Sequence, residues 1–303
     1  PAMKERNYDA PFAAAITAAA GTIGVIIPPS IPFVIYCVVA QASIGDMFIG
    51  GIVPGIMIGV ALMLVCLVTS KKRGYVSSAA RPSIKAIGKA FRESVLAIMV
   101  PVIILGGIYS GIFTPTEAAV VAVAYSIIVG KFIYKELSNK AIYECFRVCG
   151  LMNGALEFMI GLSMAFAAFL AMEQIPAAMA NWLMSLSDSR IVIMLVINVI
   201  LLILGCFVDN IAAVIILTPI LLPVVTKLGI HPIHFGLIIT VNLACGFLSP
   251  PYGINLFVAS AVSGESIEKV SIAVLPSFIA MIICLMLFTY FPVLTMGLVN
   301  LSK

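Results

Sequence analysis

The chain has 303 residues, of which 62% are hydrophobic and 10% charged, with a formal net charge of +4. No water-soluble fold of this size has a core large enough to hide so much apolar surface, so lipid must act as part of the solvent and a soluble enzyme is excluded. The small positive balance bears on membrane topology and gives no reason to expect nucleic acid.

Pro1 lacks a preceding Met, a basic leader and a cleavage site, so the sequence suggests missing upstream residues. Asp9 is placed to cap a helix with Pro11 in its first turn, running from Phe12 to Ala20 and expected to stop at Gly21. The stretch Gly21-Thr22-Ile23-Gly24-Val25-Ile26-Ile27-Pro28-Pro29-Ser30-Ile31-Pro32 then defeats any continuous helix, because its prolines remove N–H donors and clash with preceding carbonyls. Apolar residues resume from Phe33 to Val39, giving one crossing broken near its middle.

Met47 to Val68 forms the next crossing and ends at Lys71-Lys72-Arg73; Ser94 to Phe113 crosses again. Thr114 and Glu117 have capping-box spacing around Pro115, which opens a helix to about Ile133. A basic amphipathic stretch from Lys131 to Arg147 precedes a crossing from Leu151 to Met172, and Trp182 sits in a short interfacial half-helix, Ile175 to Leu186. Arg190 to Phe207 is apolar, Val208-Asp209-Asn210 interrupts it, and Ile211 to Val225 follows with Pro219 and Pro223. The second arm reads as too short to span, so the pair is expected to be a re-entrant hairpin. After His231-Pro232, Phe235 to Gly246 leads into Phe247-Leu248-Ser249-Pro250-Pro251-Tyr252-Gly253-Ile254-Asn255, and Leu256 to Val262 completes a second broken crossing; Ile272 to Leu294 is the last helix.

Tracing these crossings alternately places 14 of the 17 Lys and Arg residues on one face, leaving Arg190, Lys227 and Lys303 opposite. The positive-inside bias makes the first face cytoplasmic. Five of the seven cysteines lie in apolar runs, and Cys145 and Cys149 have no histidine nearby, so no transition-metal site or structural disulfide is expected.

Gly24-x3-Pro28-Pro29 recurs as Gly246-x3-Pro250-Pro251, and Pro54 is matched by Pro276, all at an offset of 222. The tracing runs the first broken helix outward and the second inward, so the expected fold is an all-α polytopic membrane protein with inverted repeats, re-entrant helical hairpins and broken transmembrane helices. A counterpart of the Arg190 to Val225 hairpin then falls before Pro1. The expected division is 1–46, ending a first transport repeat; 47–150, scaffold helices and cytoplasmic segments; 151–189, a connecting helix and half-helix; 190–263, a second transport repeat with hairpin 190–226 and broken helix 232–262; and 264–303, a final scaffold helix.

A helix interrupted at membrane depth leaves carbonyls and N–H groups that must find partners. Free carbonyls suit Na⁺, and half-helix N-termini suit an anion where no basic side chain is near. One cation is expected at Gly21, Thr22 and Gly24, and a second between Gly205, Val208, Asp209, Asn210 and the loop from Gly246 to Ser249. Ser30, Asp209, Gly253 and Asn255 are candidate substrate contacts. Asp209 also stands where it would cap the second hairpin arm, and Glu157 is a weaker intramembrane candidate.

At these residues the sequence resembles the large membrane subunit of tripartite ATP-independent periplasmic (TRAP) transporters. Thr17-Ala18-Ala19-Ala20-Gly21-Thr22-Ile23-Gly24, continuing through Ile26-Ile27-Pro28-Pro29-Ser30-Ile31-Pro32 to Ile35-Tyr36, is similar to that family's first broken-helix motif. Phe207-Val208-Asp209-Asn210 with Thr218-Pro219, and Pro250-Pro251-x-Gly253-x-Asn255-Leu256-Phe257, are similar to its second hairpin and second broken helix, with Val25 and Ser249 as mild departures. The resemblance implies a sodium-driven elevator transporter of the ion transporter superfamily in the bacterial inner membrane. It further implies a small membrane (Q) subunit, separate or fused, and a periplasmic binding protein. The implied substrates are organic acids, among them C4-dicarboxylates, sialic acids and other sugar acids. A sodium–carboxylate symporter that needs no binding protein shares the same physics. A channel suits sealed hairpins poorly, and an intramembrane protease lacks both a second embedded Asp and a His-Glu-x-x-His motif.

Overall fold

A computed structural model describes residues 3–75, 83–187, 189–250 and 252–302. What the sequence suggests for Pro1, Arg81, Pro251 and Lys303 falls outside the described residues. Every regular element described is helical: α1 Ala10–Ile26, α2 Ile31–Ala40, α3 Ile44–Arg73, α4 Ile84–Tyr109, α5 Pro115–Ile128, α6 Asn139–Met172, α7 Ile175–Leu186, α8 Arg190–Phe207, α9 Asn210–Lys227, α10 Pro232–Gly246, α11 Ile254–Ser263, α12 Ile267–Tyr290 and α13 Val293–Leu301. Among the described residues seven helices are long and apolar enough to cross a membrane, or eight if the bent pair α1–α2 counts as one span.

The chain divides into two compact units, 1–77 with 162–303, and 78–161. In the second unit α4 packs on α5, which opens with the expected capping box of Thr114 and Glu117 and ends in a π turn, Val129–Ile133. The Tyr125 hydroxyl donates to the Leu96 carbonyl at 3.0 Å and ties these helices together.

The first unit is built around α10, which is buried along its whole length from Ile233 to Gly246. Such a helix needs apolar neighbours on all sides. It has them in α2, α3, α8, α9 and α12. The contacts come in reciprocal pairs: α1 meets α11 and α12 as α10 meets α2 and α3, while α2–α3 matches α11–α12 and α1–α3 matches α10–α12. Helix starts follow the same rule, Ala10 against Pro232, Ile31 against Ile254 and Ile44 against Ile267, offsets of 222 and then 223.

Individual contacts give the directions of these helices. Lys4 Nζ, just before α1, donates to the Ser263 carbonyl ending α11 at 2.9 Å, and Asn255, beginning α11, reaches Ala18 at the middle of α1. These two helices are antiparallel. The Tyr36 hydroxyl on α2 donates to the Pro232 carbonyl at 2.7 Å, which ties the middle of α2 to the start of α10. The start of α1, the end of α3 and the start of α12 share one cleft containing Asp9, Arg73 and Lys269, the basic segments that the alternating tracing groups together.

Several boundaries differ from expectation. α1 continues through Gly21 and Gly24 to Ile26, because glycine weakens a helix by only about 1 kcal/mol while proline ends it. α9 has 18 residues, about 27 Å at ~1.5 Å each, so shortness does not establish re-entrance. The basic stretch after Lys131 and the Leu151 crossing are largely one helix, α6. The last helix stops at Tyr290, before Phe291-Pro292, and α13 is an additional element packed on α3, α10 and α12. Asp9 occupies the N-cap position of α1 but makes no capping bond; its Oδ2 pairs instead with Arg73 at 2.8 Å. Packing joins α3, α12 and α13 to the broken helices.

Candidate functional site

The first break follows from where nitrogen carries no hydrogen. Pro28 and Pro29 stand four residues after Gly24 and Val25, so neither of those carbonyls can receive the usual helical bond. The Ser30 hydroxyl donates to Val25 at 2.5 Å and accepts from the Phe33 N–H at 3.4 Å, capping α2. Among the described residues, no donor reaches the Gly24 carbonyl. The candidate cation ligands near this break therefore differ in kind: Gly21 and Thr22 lie inside regular helix, and the buried Thr22 hydroxyl donates to Ala19 at 2.6 Å and lies 3.5 Å from Met281 Sδ. Ser30, a candidate substrate contact, has its hydroxyl engaged with local backbone.

The second break closes on itself. Phe247, Leu248 and Ser249 donate backwards to Ala244, Cys245 and Gly246 at 3.0 to 3.2 Å, tightening the end of α10. Gly253 N–H donates to Ser249 at 2.9 Å and Asn255 N–H to Phe247 at 3.2 Å. Gly253 is required for closeness: a Cβ there would run into the Phe247 carbonyl and stand 3.0 Å from the Ser249 nitrogen.

Between α8 and α9 lie only Val208 and Asp209. Asp209 caps α9, its Oδ2 accepting from Ile211 N–H at 2.9 Å, and its side chain is exposed. The next residue differs: the Asn210 amide is buried and both its polar atoms lack a hydrogen-bond partner. Among the described residues, no backbone N–H closes onto the carbonyls of Gly205 and Cys206. Gly205 lies against Gly246, where a Cβ would fall 2.6 Å from the Gly205 Cα and carbonyl oxygen. The hairpin tip and the second break thus meet backbone to backbone.

Asn255 links this region to the first broken helix. Its Nδ2 donates to the Ala18 carbonyl at 3.2 Å and stands 3.6 Å from where a Gly21 Cβ would be. Beside that link a groove of about 530 Å³ runs between α1 and α11, walled by Thr17, Ala18, Gly21, Asn255 and Val258. α2, α9 and α11 all begin at the interruptions, directing positive helix ends toward them. Glu157 is exposed on α6, in the other compact unit.

The sequence reading did not single out the buried amides Asn198 and Asn242, which join α8 to α10, or Thr289, which receives Asn198 from α12. Their signal was available: an Asn or Thr inside an apolar run must find a partner on a neighbouring helix. Thr218 and Thr240 are buried with unpartnered hydroxyls.

Residues 1–294 match the family model for the tripartite ATP-independent periplasmic transporter, DctM component. An isethionate TRAP transporter permease of Oleidesulfovibrio alaskensis is 48% identical over 98% of this chain and 47% of its own length. A C4-dicarboxylate TRAP transporter large permease of Pseudomonas aeruginosa is 40% identical, over 98% of this chain and 70% of its own length. A sialic acid TRAP transporter permease of Haemophilus influenzae is 39% identical, over 96% of this chain and 47% of its own length. The chain thus spans about half the length of two of these relatives. With a multi-pass helical membrane architecture that accords with a bacterial inner membrane, and with this match across nearly its whole length, the chain belongs to the DctM family of TRAP transporter large permeases.

Proposed function

We propose that this chain forms the ion- and substrate-binding core of a sodium-coupled secondary transporter, which imports a small organic acid by an elevator mechanism. The observation that carries the reading is the meeting of interrupted helices. α1 runs antiparallel to α11, and the start of α11 beside the second break meets the middle of α1, so the two broken pairs pack against each other in opposite directions. Together with the reciprocal contacts, this supports an inverted repeat. α8 ends where α10 ends, at Gly205 and Gly246, which supports a hairpin tip level with the second break. In the matching half, the groove between α1 and α11 occupies the position that α9 covers on α10 and α2, so a first hairpin fits there.

In this reading one Na⁺ uses the open Gly24 carbonyl, with Gly21 and Thr22 on the wall facing the first hairpin. A second lies between the tip (Gly205, Val208, Asp209, Asn210) and Gly246 to Ser249. Sodium orders the tip, and the acid then binds among the helix N-termini with Asn255, Ser30, Gly253 and Asp209 around it. The body packed around the breaks, including α3, α12 and α13, moves as a unit.

The relatives are named for isethionate, a C4-dicarboxylate and sialic acid. Their shared chemistry is an organic anion, and a periplasmic binding protein delivers it. A small Q subunit, separate or fused, completes the membrane assembly. The test is uptake into proteoliposomes by the full-length transporter, using a labelled panel of these acids. Uptake should require both an inward sodium gradient and the cognate binding protein. Uptake without the binding protein would favour the simpler symporter, and uptake indifferent to sodium would refute the ion coupling.

A further inference from the structure

α8 and α10 touch at two levels. Near the ends of both helices Gly205 lies on Gly246. Deeper along the seam the Asn242 Nδ2 donates to both the Asn198 carbonyl at 2.9 Å and the Asn198 Oδ1 at 2.7 Å. Asn198 in turn donates to Thr289 Oγ1 on α12 at 3.0 Å, and Thr289 donates to the Leu285 carbonyl at 2.9 Å. Asn198, Asn242 and Thr289 are all buried. Asn198 precedes Gly205 by seven residues and Asn242 precedes Gly246 by four, so the two helices run in the same direction from the amide pair to the glycine contact.

We infer that Asn198 and Asn242 are positioning residues that set the register of the hairpin tip against the second break, and thereby the affinity of the tip for its cation. The inference rests on the sodium-coupled reading above. Apolar side chains on two helices in lipid do not specify register, because sliding exchanges one apolar contact for another. A directional amide bond does. A slip of α8 along α10 moves the open carbonyls of Gly205 and Cys206 away from Gly246, and leaves the Asn242 donor buried without an acceptor. Only the fraction of molecules in register binds the ion, so the apparent constant rises by the inverse of that fraction.

The network predicts an unequal pair. Asn242→Ala removes both donations across the seam. Asn198→Ala leaves its backbone carbonyl in place, so one of the two remains. In the full-length transporter, reconstituted with its binding protein, Asn242→Ala should raise the sodium concentration for half-maximal uptake about 3- to 20-fold, from ~0.6 to 1.7 kcal/mol for such bonds. Asn198→Ala and Thr289→Val should raise it less, and the Asn198→Ala/Asn242→Ala double variant no more than Asn242→Ala alone. Maximal rate should change less than half-saturation.

Hydrogen exchange of the same proteins supplies a readout independent of sodium: amides from Gly205 to Ile211 should exchange faster in Asn242→Ala than in wild type. Unchanged exchange there overturns the positioning role. So does unaltered half-saturation, or single effects that multiply in the double variant. Should Asn242→Ala fail to fold, Thr289→Val and Asn198→Ala carry the same comparison. Sodium-independent uptake by the wild type would count against the coupling reading, and exchange at the tip would still decide the positioning role.

Discussion

The two broken pairs begin with the same backbone problem and resolve it differently. After Gly24 two consecutive prolines leave two carbonyls without their helical donors, and among the described residues only Val25 is answered, by the Ser30 hydroxyl. After Gly246 the chain tightens and turns back on itself at Gly253, so that its own N–H groups reach the carbonyls of Ala244, Cys245, Gly246, Phe247 and Ser249, beside a wall formed by the backbone of Gly205. The open carbonyls thus come from different places: from the broken helix itself at the first break, and from Gly205 and Cys206 on the neighbouring α8 at the second.

Substitutions can break this contrast, the most severe at the closed end. Gly246→Val places a side chain into the Gly205 backbone, which cannot yield as a flexible side chain would. We expect loss of uptake and a destabilisation of at least about 1–3 kcal/mol, measured as a fall in the thermal midpoint of the purified protein. Gly24→Ala meets nothing within 4 Å and should insert and fold normally, which a comparison of yield and thermal midpoint checks.

Asp209 separates two roles. Asp209→Ala removes the cap of α9, worth about 1 kcal/mol, along with the carboxylate, and should reduce sodium-dependent uptake by more than tenfold while the protein still inserts. Asp209→Asn keeps the cap. If uptake at saturating sodium then returns to the wild-type rate, the residue acts through helix geometry; we expect half-saturation to stay raised because the charge is gone.

Asn255→Ala cuts the link between α11 and α1 and should reduce uptake several-fold with little change in stability, since one amide–carbonyl bond contributes about 1 kcal/mol. The smallest effect belongs to Arg73→Gln. The Asp9–Arg73 pair is nearly half exposed, and its loss should cost under about 1 kcal/mol and leave uptake kinetics close to wild type.

Much of this arrangement was legible in the sequence, because proline and glycine act through local backbone chemistry. α7 coincides with the expected Ile175 to Leu186 segment, and the Val208-Asp209 joint falls where the apolar run is interrupted. The repeat offset read from four Gly and Pro positions reappears in the helix starts to within one residue. What the sequence could not display were choices made by packing. Helix α1 passes through Gly21 and Gly24 because those glycines are compatible with a helix whose other face is held by α3 and α12. α13 escaped notice because Phe291-Pro292 divides a run that reads as continuous by hydropathy. The Asn198–Asn242 pair required knowing that α8 lies beside α10, a contact between residues 44 positions apart.

The central claim is that the second break opens against the middle of the first broken helix inside the membrane. It is tested most directly by replacing Ala18 and Asn255 with cysteine in a full-length, otherwise cysteine-free transporter and treating membranes with a short bifunctional thiol reagent. The account predicts rapid intramolecular cross-linking, together with protection of both thiols from a membrane-impermeant maleimide. Free labelling of both positions by the maleimide, without any cross-linked product, would contradict it.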